Sequence, residues 1–277
     1  MGKIILSCKP RGLGLEEFTL GLVSLYPDRR SRKQFEKKWV EFYKSDRHNS
    51  DVFKRNEENL SYLSESWVPT KKDSRLPVLL LFGNPASHSV VARMYFSYEG
   101  KGREHRIWRI FREVSLLNWV DPLPVVAGSL FDSSKVIKKR FFDLDYNSPF
   151  RLAMVVYFSM PSAPSEPSWS GVNGLCKLFG RKAIRLIENE EQKRIRRIVE
   201  NFMPDGGVII AFQKDAYNGV VTKEASGYSL RGALAGELEA KSGLHPKVKV
   251  FGVPPTRFLQ GRKAKQVLKD IIVKAQG

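Results

Sequence analysis

Asn84 stands in the run Gly83-Asn84-Pro85-Ala86-Ser87-His88-Ser89, directly after an apolar stretch. A glycine there lets the backbone turn sharply, and the proline fixes the exit. An asparagine so held can orient a water or a base through its amide. A plain strand-to-helix turn capped by Ser87 would use the same residues. Four further segments carry candidate chemistry. Tyr95-Phe96-Ser97-Tyr98 offers rings that stack on a nucleobase, worth about 1–3 kcal/mol per base, or that fill a core. His105 opens Glu104-His105-Arg106-Ile107-Trp108 and could act as an acid or base, or cap a helix. Lys214, in Ala211-Phe212-Gln213-Lys214-Asp215-Ala216-Tyr217, could meet a phosphate or stay solvated. In Phe251-Gly252-Val253-Pro254-Pro255-Thr256-Arg257-Phe258, a rigid loop of small residues lets the backbone approach DNA. There Arg257 would serve as a phosphate clamp and Phe258 as a wedge.

The elements that must position these residues fall into two stretches. Residues 13–66 read as helical. Leu15 to Leu25 suggest a first helix, Phe35, Trp39, Phe42 and Tyr43 recur at 3–4 spacing for a second, and Asn59 to Trp67 extend a third. Thr70 to Arg75 is a polar linker, so residues 1–75 are expected to form an N-terminal helical extension. Beyond it the pattern changes. Leu76 to Phe82, Leu152 to Met160, Val208 to Phe212 and Val248 to Val253 are continuous apolar runs, as in strands buried on both faces. Glu104 to Leu117, Lys182 to Phe202 and Arg262 to Lys274 read as helices. Residues 76–277 are therefore expected to form an α/β domain. Its architecture would be a three-layer α/β/α sandwich on a central, mainly parallel four-stranded sheet. Ligands of such sheets sit outside the carboxyl ends of the strands, where the candidate segments lie.

Composition narrows the function classes. The 277 residues carry 47 Lys and Arg against 29 Asp and Glu, for a net charge of +18. That excess points to a polyanion, nucleic acid before an anionic membrane surface. A hydrophobic fraction of 42%, with 17 Phe and 5 Trp, can bury a core and excludes wholesale disorder. Cys8 and Cys176 are too few for a disulfide scaffold, a four-cysteine zinc site or an all-cysteine iron–sulfur cluster. No phosphate-binding glycine loop of the P-loop kind is present. No apolar run approaches the ~20 residues of a membrane span, and the start has too short an apolar core for a secretory signal. A soluble cytoplasmic protein is expected, associated with the nucleoid if prokaryotic. Residues 245–277 hold eight Lys or Arg against one Asp, whereas residues 1–76 hold 16 against 11. The excess is thus densest beside the 252–258 loop, and the phosphate backbone is expected near Arg257, Arg262 and Lys263.

Taken in order, these segments resemble the uracil-DNA glycosylase superfamily. The resemblance covers roughly residues 76–276. Leu79 to Ser89, then Met94-Tyr95-Phe96, then His105-Arg106-Ile107-Trp108 follow that family's first motif of strand, Gly/Asn/Pro turn, aromatic and helix. The Asn-Pro pair is similar to the mismatch-specific and single-strand-selective branches, and the tyrosines to the hypoxanthine-excising branch. Val208 to Tyr217 is similar to a strand and Gly-Lys-x-Ala turn, with Gln213 where glycine is usual. The resemblance implies base flipping and hydrolytic excision of a damaged base in base-excision repair, by a monomer without cofactor or metal. It implies that Asn84 positions the water or stabilises the cationic sugar, that Phe96 stacks on the base, and that Gly83, Pro85 and Tyr95 complete the base site. Ser87, Lys214, Pro254, Pro255, Thr256, Arg257, Phe258, Arg262 and Lys263 are the implied DNA contacts. Two departures are visible. Val253-Pro254-Pro255-Thr256 holds no histidine where the family has His-Pro-Ser-Pro, removing a donor to the leaving base. The strand around Val155 to Met160 lacks the asparagine that reads a pyrimidine edge, leaving Tyr157 or Ser159 to substitute. A base other than uracil, or a catalytically weak or inactive DNA-binding protein, is the alternative.

Overall fold

A computed structural model of the chain describes residues 5–97, 104–120 and 130–277. Tyr98 lies outside the described residues. The N-terminal elements are β1 (Leu6–Gly12), β2 (Leu15–Gly21), α1 (Leu22–Leu25), α2 (Arg29–Lys44), α3 (Asn49–Val52), β3 (Phe53–Arg55) and β4 (Asn59–Trp67). There follow β5 (Leu76–Phe82), α4 (Ser87–Val91), α5 (Arg106–Glu113), β6 (Asn118–Trp119), α6 (Leu130–Asp143), β7 (Tyr146–Asn147) and β8 (Phe150–Val156). The rest is α7 (Gly171–Phe202), β9 (Gly207–Ala211), α8 (Lys214–Asn218), α9 (Leu230–Ala235), β10 (Glu239–Lys241), β11 (Val248–Gly252) and α10 (Arg262–Gln276). No helix of the described residues is long and apolar enough to cross a membrane.

The chain forms two compact units. The first comprises residues 1–66, 84–95 and 158–194; the second comprises 67–83, 96–157 and 195–277. In the first unit β1, β2, β4 and β3 pair antiparallel, which corrects the helical reading of this stretch. Only the middle helix is found as expected. α2 starts where Asp28 accepts a 2.8 Å hydrogen bond from Ser31 N–H, and it buries Phe35, Trp39 and Phe42. Of the expected first helix, Leu15–Gly21 is the strand β2 and only Leu22–Leu25 is helical, and the expected third helix is the strand β4. Phe18 and Leu20 alternate inward, as do Leu60 and Tyr62, and the two pairs face each other in register (Phe18↔Tyr62, Leu20↔Leu60). That period of two competes with a period of 3.6 over so short a window, and cross-strand stacking of Phe18 on Tyr62 at 5.4 Å decides it. β1 is exposed along nearly its whole length and carries Lys9, Pro10 and Arg11, with an irregularity in its pairing between Pro10 and Gly12.

In the second unit the four expected strands are present and mutually parallel, in the order β8-β5-β9-β11. Leu80 pairs with Met154 on one side and Ile210 on the other. β8 and β9 are buried throughout, as the continuous apolar runs predicted. The strand count is corrected: β10 adds an antiparallel fifth strand on β11. The fold is mixed α/β with a mainly parallel sheet in this unit. α10 buries Val267, Leu268, Ile271 and Ile272, at about 1.5–3 kcal/mol per large apolar side chain.

Candidate functional site

The turn after β5 and the loop after β8 meet in the first unit. Ser87 N–H donates to Ser162 O at 3.1 Å, and Ser162 N–H donates to Pro85 O at 3.0 Å. Asn84 lies on this clasp, half-buried. Its Nδ2 donates to Pro85 O at 3.2 Å and, at 3.4 Å, to Met160 O. Its Oδ1 has no hydrogen-bond partner among the described residues. An amide tethered on its donor side presents a fixed acceptor, able to align one water. Ser87 does not cap α4; Ala86 takes that place, and the Ser87 hydroxyl is buried without a partner among the described residues. Tyr95 is buried, and its hydroxyl donates to Glu65 O at 2.6 Å.

Two polar clusters in this unit went unread in the sequence. Ser159 is fully buried, and its N–H and hydroxyl donate to Glu191 Oε1 at 2.6 and 2.5 Å. Arg194 Nε donates to Glu191 Oε2 at 2.6 Å, and the Tyr62 hydroxyl joins Ser159 Oγ at 2.8 Å. Burial, followed by the Glu191 charge, holds the Tyr62 phenol well above its ordinary pKa. Burial works against the Arg194 charge, but Glu191 and Glu16 more than offset it. The signal was present: Glu191 falls on the helical stripe of Ile187, Ile195 and Ile198, where a charge needs a buried partner. The second cluster joins Asp46, His48, His88 and Ser165. Asp46 is buried and accepts from His48 N–H at 2.9 Å, from the His48 ring at 2.9 Å and from the Ser165 hydroxyl at 2.7 Å. The His88 ring stands 6.2 Å from that of His48.

In the second unit the ends of β5, β9 and β11 converge. A Cβ on Gly83 would come within 3.1 Å of Gln213 Cδ, so glycine admits the Gln213 side chain there. Gln213 caps α8, accepting from Ala216 N–H at 3.4 Å, and donates to Asp215 at 2.6 Å. Phe82 stacks on Phe212 at 4.8 Å and meets Phe96 edge-on at 5.0 Å. Phe96 is half-buried, adopts φ +51° and lies 5.2 Å from the ring of His105. His105 is a helix cap: its Nδ1 accepts from Ile107 N–H at 3.2 Å. A Cβ on Gly252 would strike Tyr217 and Leu238 at 2.9 Å. The Tyr228 hydroxyl donates to Val253 O at 3.0 Å, and burial pushes this phenol up to about 12. Pro254 is buried, and Pro255, Thr256 and Phe258 are half-buried. Lys214, Arg257, Arg262 and Lys263 are exposed, with the Arg257 guanidinium 5.0 Å from the Phe258 ring. Tyr157 is fully buried against Gly219, where an added Cβ would collide with its ring.

The candidate segments thus pair off within each unit, 84–89 with 160–170 in the first and the end of β5 with 213–217 and 252–258 in the second. No model of a known protein family matches the chain, and no curated protein matches it. Among the described residues, no group of three or more His, Cys, Asp or Glu is placed to hold a metal ion.

Proposed function

We propose that the protein is a DNA glycosylase that hydrolytically excises a deaminated or otherwise damaged base. The observation that carries this reading is Asn84, anchored through Nδ2 at a strand end with Oδ1 left to accept from water. In the reaction the damaged nucleotide is flipped from the stack. Asn84 Oδ1 accepts a hydrogen bond from a water and aims its lone pair at the sugar carbon. The carbon–nitrogen bond to the base then breaks, its electron pair leaving with the base; the water oxygen bonds to the carbon, and the proton it sheds passes to the departing base. Within the second unit, the half-buried Phe96, beside Phe82 and His105, is the aromatic that the resemblance offers for stacking. Lys214, Arg257, Arg262 and Lys263, all exposed, supply phosphate contacts. The protein works as a monomer in this reading. Ser159 and Tyr157 carry no base contact in it, since both are sealed in the core; Ser87, also buried, holds the turn through its backbone N–H to Ser162 O, and the buried Tyr95 is tied to Glu65 O.

The test is release of free base from single- and double-stranded DNA carrying uracil, hypoxanthine, xanthine or an alkylated base. Release from at least one substrate is expected, and no release from any of them sinks the reading. Asn84→Ala should lower turnover by about 10²–10⁴-fold while DNA affinity stays within about twofold.

A second reading, a catalytically weak or inactive DNA-binding protein, is favoured by the 253–256 loop. The loop has no titratable side chain, and Val253 O is already occupied by Tyr228. It predicts salt-dependent DNA binding with no abasic sites formed.

A further inference from the structure

The second unit holds a cavity of about 640 Å³ at the opposite end of its sheet, around the amino ends of β5, β9 and β11. Six cations line it: Lys72, Arg75, Arg151, Lys247, Lys249 and Lys274. Two carboxylates, Asp73 and Asp205, also line it, and Asp73 is occupied by Arg75 at 2.6 Å. None of the four lysines has an acidic partner within 4 Å among the described residues. Arg151 is buried at 6% exposure; Nη2 donates to Phe202 O at 2.8 Å and Nη1 to Lys71 O at 3.4 Å. Its Nε is buried with no hydrogen-bond partner among the described residues. The guanidinium is hydrogen-bonded only to carbonyls and lies over a ring; the nearby Asp73 charge is shared with Arg75, which it pairs directly, so the counter-charge that offsets desolvation is incomplete. Gly206, at φ +117°, turns the chain beside the cavity where a Cβ would approach Lys247 O to 2.8 Å.

We propose that this cavity is a second anion site, one that takes a phosphate-bearing ligand. Four unpaired ammonium groups around one buried guanidinium repel one another when the site is empty. A multiply charged anion converts that repulsion into attraction, and a cavity of this volume lies within the range of small-ligand sites. Phosphate fits where carboxylate would not suffice, because several oxygens can meet several donors at once. The group comes from free polyphosphate or from a nucleic-acid backbone, and the site is independent of the glycosylase reading.

The experiment is thermal unfolding of the full chain at fixed ionic strength, with added inorganic tripolyphosphate in one arm and a short single-stranded oligonucleotide in the other. A ligand at ten times its Kd should raise Tm by about 3 °C. Lys247→Glu/Lys249→Glu, substitutions at exposed positions, should abolish the shift, with folding checked by circular dichroism. Arg257→Glu/Arg262→Glu/Lys263→Glu, at the other end of the sheet, should retain it. A lysine-dependent shift with tripolyphosphate assigns the site to free phosphate, and one with the oligonucleotide alone assigns it to a nucleic-acid backbone. No shift in either arm overturns the proposal, and so does a shift that Lys247→Glu/Lys249→Glu leaves intact.

Discussion

His88 sits half-buried on α4 beside the ring of His48, and burial followed by that neighbour lowers its pKa, with Asp46 opposing. For Asp46, burial pushes upward, but the His48 N–H, the Ser165 hydroxyl and the His48 ring together hold the carboxyl below its usual range. Both shifts act on stability with the same sign. The unfolded chain binds a proton at position 88 near the ordinary imidazole pKa of about 6.5, whereas the folded chain resists it. The His88 contribution is therefore full above that pH and is lost as pH falls through the depressed folded value. Asp46 follows at lower pH, through the carboxylate range. Urea midpoints measured from pH 7.5 to 5 should fall, and His88→Gln should flatten that slope while leaving the decline below pH 4. An unchanged slope between pH 7 and 5.5 would show that the proton goes elsewhere. These residues were individually visible in the sequence, but nothing local joins Asp46 to His88 across some forty positions. Asn84 was legible because a strand, a glycine and a proline adjoin it in the chain.

At the scale of elements, α7 is the informative case. Gly180 interrupts it at φ 78°, ψ 163°, a conformation outside any helix and open essentially to glycine alone. An added Cβ would meet nothing within 4 Å, so the cost of substitution is in the backbone and not in packing. Gly180→Ala should destabilise the protein by about 1–3 kcal/mol, read as a lower urea midpoint at constant m-value. A change under about 0.5 kcal/mol would mean that the helix straightens without penalty. The break also explains why the helical pattern is cleanest from Lys182 onward. Strands β5, β8, β9 and β11 were readable because a two-sided apolar environment needs an unbroken apolar run, as in Val78 to Phe82. β2 and β4 were not, because Leu15, Phe18, Leu22 and Leu25 satisfy helical spacing while Phe18 and Leu20 satisfy alternation. Their pairing partner lies some forty residues away, and only that partner decides between the two periods.

At the scale of the whole molecule, the net charge of +18 sets how the chain behaves toward polyanions, whatever its chemistry. If Arg257, Arg262 and Lys263 each release a counterion from duplex DNA, neutralising them removes about 2.7 from the slope of log K against log salt. Arg257→Gln/Arg262→Gln/Lys263→Gln should weaken binding most at low salt, and a slope equal to that of the unmodified chain would place the DNA elsewhere. The β1 hairpin has a consequence of another kind. An outer strand with free N–H and C=O groups is a template on which further chains can assemble. Here β1 offers Pro10, which has no N–H, flanked by Lys9 and Arg11 and followed by the irregularity at Gly12. The Lys9 charge and a missing donor at that rim oppose strand-on-strand stacking of one copy on the next, while Arg11 is taken up by Glu17 on the neighbouring strand.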